Sequence, residues 1–243
     1  RDELWMSYDA VLLLAFGGPW NPEEIRPFLA EIARTRPVPQ SRLEEVARHY
    51  EAVGGRSPLG DRTLAQARAL EARLAEDGIS IPVAVGMRSW TPFVADTLRA
   101  LAARGARRVL GLVLSAHASE ASLESYRAAV RDACTALGAL APAVDYAGPW
   151  FASEGFLRAN ASLIAEALDA LPPGVRSHVP VVFTAHSIPT AMAERSPYVQ
   201  QLRRTIEGIL DLVGHQRWRL AYQSRSGPPS QPWLGPLVLD VLR

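Results

Sequence analysis

Short runs of branched aliphatic residues alternate along this chain with longer segments in which apolar positions return every three or four residues. The first pattern predicts strands and the second helices. Strands are expected from Ala10 to Phe16, Pro82 to Gly86, Arg108 to Leu114, Ala143 to Ala147, Val179 to Thr184 and Arg219 to Gln223. A run such as "VVFT" is apolar throughout rather than alternating, which suits a strand inside a parallel sheet. Strands and helices taking turns give an α/β architecture of βαβ units. Some helix boundaries can be read as well. Between residues 61 and 78, Leu64, Ala67, Leu70 and Leu74 share one face, with Asp61 placed as N-cap and Gly78 just past the end. Thr91 followed by Pro92 is expected to open another helix, and Ser153 one that runs to about Ala170.

The pattern breaks at "AGPWFASEG", residues 147–155, which divides the chain into an expected domain at 6–150 and a second at 151–243. About four strands precede the break and two follow it, so the second domain is expected to be incomplete. Both ends read as cut. "RDELW" belongs to no periodic segment, and "WLGPLVLDVLR" stops inside an apolar run without a cap. The openings "LLLAFGGP" and "VVFTAHSIP" each run from strand into loop and end in proline. Ligands of open parallel sheets gather at the carboxyl ends of strands, so both loops are candidates to line one cleft.

Composition narrows the chemistry. With 243 residues, 48% of them hydrophobic, and a net charge of +1, the chain is ordinary globular material with no charge excess to attract nucleic acid. All 26 basic residues are arginine. A chain without lysine forms no Schiff base and supplies no P-loop lysine. The single Cys134 allows no internal disulfide and cannot hold an iron–sulfur cluster alone, which fits a reducing cytoplasm. The longest apolar runs, such as "AVLLLAF", fall far short of the ~20 residues of a membrane span.

Four stretches could carry chemistry. His186 stands at the end of an apolar strand, followed by Ser187 and a turn-forming Pro189; there an imidazole could accept a proton or bind ferrous iron, or be a buried histidine satisfied by backbone. In "YEAVGGRSPLGD", Gly54 and Gly55 permit positive φ, and Arg56 and Ser57 suit an oxygen anion; a helix-ending turn reads the same way. In "LSAHASEASLESY", His117 follows a strand as His186 does. Ser119 could cap the next helix, Tyr126 could fill its apolar face, and His117 and Glu120 could pair as metal ligands. In "AYQSRSGPPSQPWLGP", Gln223, Ser224 and Arg225 sit where a strand enters a proline-rich loop anchored by Trp233.

Taken together, "LLLAFGGP", "YEAVGGRSPL", "GMRSWTPF", "FTAHSIP" and "LAYQSRSGPPSQPWLGP" resemble the ferrochelatases in order and separation, from Met6 to Arg243. The resemblance implies two Rossmann-like domains with parallel sheets flanked by helices, a porphyrin cleft between them, and insertion of ferrous iron as the reaction. Iron is then a substrate and no resident cofactor is needed. The resemblance also implies that His186 faces the porphyrin as iron ligand or acceptor of pyrrole protons, and that Phe16, Arg34, His49, Tyr50, Ser57 and Tyr126 contact the macrocycle. It leaves room for peripheral contact with a membrane surface.

Two positions depart from the coproporphyrin-using branch of that family. Phe16 stands where a tyrosine is frequent, and Ala33, beside Arg34, where an arginine is. "LSAHASEASLESY" nevertheless looks closer to that branch. Family members also carry, beyond "WLGP", a segment whose glutamate faces the histidine. This chain ends first, so a fragment with little activity of its own is expected. The alternatives are a cobalt chelatase of the corrin pathway and a non-catalytic tetrapyrrole carrier.

Overall fold

A computed structural model of the chain describes residues 8–35, 38–227 and 230–243; "RDELW", Met6, Pro228 and Pro229 lie outside the described residues. By its internal contacts the chain forms two compact units, one of Arg1–Leu114 with Ser125–Gly148 and one of Ser115–Glu124 with Pro149–Arg243.

In the first unit the order is β1 (Ala10–Ala15), α1 (Ile25–Thr35), α2 (Gln40–Ala52), α3 (Leu59–Glu76), β2 (Val83–Met87), α4 (Val94–Ala103), β3 (Arg108–Val113), α5 (Ser125–Leu137) and β4 (Ala143–Tyr146). The four strands form one parallel sheet in the order β2-β1-β3-β4. As β1 pairs on both edges, its residues have no solvent face to serve, and all six are buried. That is why its sequence is uninterrupted aliphatic. Val11, Leu13 and Ala15 pack on α3, where Ala67 and Leu74 are buried and Leu64 and Leu70 lie against the same cluster. The face predicted from helical spacing is therefore the one that meets the sheet. A fully buried leucine such as Leu13 contributes about 1.5–3 kcal/mol.

The second unit runs α6 (Glu154–Asp169), α7 (Pro173–Arg176), β5 (Val181–His186), α8 (Thr190–Glu194), α9 (Tyr198–Val213), β6 (Trp218–Gln223) and α10 (Val238–Val241). Its two strands pair in parallel, from Val181 against Trp218 to His186 against Gln223. Helix α9 buries Tyr198, Gln201, Leu202, Thr205, Ile206 and Ile209, a stripe at spacings of three and four. The fold is thus α/β with two parallel sheets flanked by helices, and the second sheet is small.

Two helix starts differ from the sequence reading. Helix α3 begins at Leu59 rather than after Asp61, with Pro58 at the N-cap position and the Ser57 hydroxyl just before it accepting from the Leu59 N–H (3.2 Å). Asp61 lies in the first turn, where a negative charge suits the helix dipole, and pairs with Arg56. Helix α4 starts at Val94, after Phe93; Thr91 and Pro92 instead fold back on β2, where Pro92 accepts from the Met87 N–H (2.7 Å). Ser153 precedes α6 as expected.

Candidate active site

The carboxyl ends of β1 and β2 in the first unit bring Phe16 and Arg88 together. The ladder continues past both strands, since Arg88 N–H donates to the Ala15 carbonyl (2.9 Å) and Ser89 N–H to that of Phe16 (2.8 Å). The Arg88 guanidinium carbon lies 5.1 Å from the Phe16 ring centre and 5.3 Å from that of Tyr126, on α5. Among the described residues no carboxylate pairs with Arg88, so its charge rests on two aromatic faces. Tyr126 is buried, which pushes its phenol pKa up, while the Arg88 charge acts the other way.

Behind Phe16 stands an aromatic cluster centred on Phe28. Phe16, Tyr50 and Trp90 meet its ring edge-on, with centroids at 6.3, 6.1 and 5.8 Å. The Trp90 indole N–H donates to Glu24 (2.6 Å), and burial raises the Tyr50 pKa. Phe16 thus packs on the buried cluster formed by helices α1 and α2.

The remaining first-unit candidates lie in more ordinary surroundings. Gly54 and Gly55 have φ of 99° and 74° and end α2 in a tight turn, closed by Gly55 N–H to the Tyr50 carbonyl (2.8 Å). Arg56 is engaged by Asp61 and exposed. Ser57 accepts from the Leu59 N–H and sits against Gly18, where an added Cβ would stand 2.6 Å from the Ser57 Cβ. His49 is exposed on α2, and Arg34 is exposed on α1, paired with Glu31 (2.9 Å).

In the second unit His186 is the last residue of β5, and its backbone is held on several sides. The Tyr198 hydroxyl donates to the His186 carbonyl (3.1 Å), and Ser187 N–H donates to the Gln223 carbonyl (2.7 Å). Ser187 is fully buried, and its hydroxyl donates to the Leu234 carbonyl (2.8 Å). Leu234 N–H in turn donates to Ile188 (3.0 Å), and Pro189 bridges Trp233 in antiparallel fashion. The "AHSIP" and "WLGP" segments, separate in sequence, are thus one paired structure. The His186 ring itself is exposed at the surface of its unit, yet partial desolvation holds its pKa below the usual histidine value. Desolvation thus disfavours the charged form of the ring.

Gln223 ends β6 beside His186, Ser224 bonds the Gln223 side chain at a φ of 61°, and Arg225 donates to the Gln231 carbonyl (3.3 Å). His117 belongs to the second unit and bonds Thr205 through Nε2 (2.9 Å), while Glu120 pairs with Arg195 (3.6 Å); the two are committed to different partners rather than to one metal. Ser119 caps the turn that follows it, its hydroxyl accepting from Ser122 N–H (3.2 Å). Among the described residues no three of His, Cys, Asp and Glu converge as a metal cage.

Two residues escaped the sequence reading. Arg88 was legible by the same rule that singled out His186, since it too follows a strand, inside "GMRSWTPF". Tyr198 had no such signal: its bond to His186 spans 12 residues and a helix start.

Comparison with known proteins bears on this geometry. A ferrochelatase family model matches residues 8–243. The chain is 40% identical to a ferrochelatase of Rhodopirellula baltica, over 97% of this chain and 67% of that protein. It is 39% identical to a coproporphyrin III ferrochelatase of Streptomyces coelicolor, over 97% of this chain and 68% of that one. A coproporphyrin III ferrochelatase of Mycolicibacterium smegmatis is 38% identical, with 98% and 71% covered.

Proposed function

The chain belongs to the ferrochelatase family and inserts ferrous iron into a porphyrin in haem biosynthesis, and we propose that His186 is the residue that takes up the pyrrole protons and meets the iron. The observation that carries this reading is an imidazole exposed at a strand end, on a backbone clamped by Tyr198, Gln223 and Leu234; burial disfavours its charged form. The balance of the reaction asks for such a group: a free-base porphyrin gives up two N–H protons as one Fe²⁺ enters, and the product is neutral. A base whose charged form is disfavoured accepts a proton and releases it readily to solvent, so it is ready for another turnover. As the metal sheds its waters, the same nitrogen offers a borderline ligand to iron.

On the first unit we assign Phe16 and Tyr126 to contact with the macrocycle, with Arg88 holding the two rings in register. Tyr50 supports Phe16 through Phe28. Ser57, His49 and Arg34 are assigned to the outer edge of the porphyrin, where its acid groups reach solvent; Arg34 would exchange Glu31 for a substrate carboxylate. The porphyrin is coproporphyrin III in this reading, supported by the relatives at 38–39% identity that carry that name. The setting is the cytoplasm, in keeping with the lone unpaired Cys134. Among the described residues no helix is long and apolar enough to cross a membrane.

The test is metalloporphyrin formation followed by absorbance, with coproporphyrin III and protoporphyrin IX offered separately. His186→Ala should lower turnover by ~10²-fold or more while porphyrin affinity changes little. Normal turnover in that variant would remove His186 from the chemistry, and preference for protoporphyrin IX would overturn the substrate assignment.

A further inference from the structure

His117 has no part in the reaction above, yet the second unit spends its buried polar groups on it. Among the described residues of that unit the buried polar side chains are Ser119, Ser187, Gln201 and Thr205, and all but Ser187 serve the segment that carries His117. A buried polar group is costly unless it is bonded, so each of these contacts is specified rather than incidental. Tyr198, Gln201 and Thr205 lie at spacings of three and four on α9, one above another. Gln201 accepts from the Ala118 N–H (2.6 Å).

Thr205 fixes the state of the imidazole. Its hydroxyl has one proton, which goes to the Phe151 carbonyl (2.8 Å), so its oxygen accepts from His117 Nε2 (2.9 Å). Nε2 therefore carries hydrogen. The rings of Phe151, Phe156 and Tyr198 surround the imidazole with centroids at 6.3, 6.4 and 6.2 Å, and the Tyr198 ring stands at 87° to it. The hydroxyl of that same tyrosine donates to the His186 carbonyl (3.1 Å). A continuous path of contacts runs from the His117 ring through the Tyr198 ring to the backbone of His186.

We propose that His117 is a positioning residue for His186: by fixing where the Tyr198 ring stands, it fixes the His186 carbonyl and so the direction in which the His186 imidazole points. The proposal rests on the reading of His186 as the reacting base. Its effect should fall on turnover, because a misdirected base reacts slowly while the porphyrin still binds. A displacement of the order of 1 Å costs up to ~10²-fold in rate.

The experiment compares His117→Ala, His117→Phe, Tyr198→Phe and the double variant His117→Ala/Tyr198→Phe in the full-length protein, with thermal melts to establish folding. Turnover should fall about 10-fold or more in His117→Ala with KM for the porphyrin unchanged, and His117→Phe, which keeps a ring against Tyr198, should recover most of it. The double variant should be no slower than the worse single variant, since both act on one path. The side-chain NMR resonance of His186 should shift in His117→Ala and return in His117→Phe. Multiplying losses, a change confined to KM, or an unmoved His186 resonance with full turnover would overturn the proposal. Should His117→Ala fail to fold, His117→Phe and Tyr198→Phe decide it alone: loss of turnover in Tyr198→Phe with its retention in His117→Phe supports the path, and full turnover in Tyr198→Phe refutes it. Failure of the underlying reading looks different, because His186→Ala would then keep normal turnover whatever His117 does to the resonance.

Discussion

The hydroxyl of Ser187 donates a 2.8 Å hydrogen bond to the carbonyl of Leu234, a residue 47 positions further along the chain. Beside it, Leu234 N–H returns a bond to Ile188 (3.0 Å), so the loop carrying Trp233 is laid as a strap along the residues after His186. Two sequence motifs that look independent are therefore one device for holding the end of β5.

Ser187→Ala should lower the stability of the second unit by about 1–3 kcal/mol, because it leaves the Leu234 carbonyl facing a methyl group where Ser187 is fully buried. Urea unfolding followed by tryptophan fluorescence measures it. An unchanged midpoint would show that the strap does not depend on this bond.

A second relationship of this kind joins Gly18 to Ser57. A Cβ on Gly18 would lie 2.6 Å from the Ser57 Cβ and 2.7 Å from its hydroxyl oxygen. Ser57 cannot recede freely, since its hydroxyl accepts from the Leu59 N–H and its own N–H donates to the Pro19 carbonyl (2.8 Å). Gly18→Ala should cost about 1–3 kcal/mol from overpacking, and Ser57→Gly about 1 kcal/mol from the lost bond to the Leu59 N–H. Combining them should be less harmful than Gly18→Ala alone, because the colliding atoms are gone. Simple additivity in thermal melts would mean that the collision is relieved elsewhere.

How far the sequence led depended on whether the signal was local. Strand β1 was legible because a strand paired on both edges and covered on both faces must be apolar throughout. The face of α3 was legible because its burial repeats with the helix. The start of α3 was not: Ser57 and Asp61 are both capping types, and only the structure shows that Pro58 stands at the N-cap, with Ser57 bonded to the Leu59 N–H and Asp61 paired with Arg56. His186 stood out by position alone. Its supports did not, since bonds such as those to Tyr198 and Leu234 join residues 12 and 47 positions apart and leave no periodic trace.

Arg88 should matter to porphyrin binding through the rings it holds. With its guanidinium 5.1 Å from Phe16 and 5.3 Å from Tyr126, Arg88→Met keeps much of the bulk and removes the charge. Affinity should fall by roughly 0.5–2 kcal/mol, the range for cation–ring contacts, in a fluorescence-quenching titration. Affinity equal to that of the unmodified protein would leave Arg88 as packing only.

The pH dependence of the second unit should have a definite sign. Burial among Phe151, Phe156 and Tyr198 holds the His117 pKa below the usual histidine value, and desolvation does the same to His186. In the unfolded chain both return to about 6.5. Between the folded and unfolded values the unfolded state binds more protons, so stability rises with pH there. The stabilisation from neutral imidazoles is complete above the unfolded value and is lost as pH falls through the folded ones. Unfolding midpoints between pH 5 and 8 should therefore decline on the acid side. His117→Gln keeps an N–H for Thr205 but has nothing to protonate, so its profile should be flatter than that of the unmodified protein. Equal acid slopes for the two would show that His117 does not carry the dependence, and a midpoint that rises as pH falls would contradict the assigned direction for both residues.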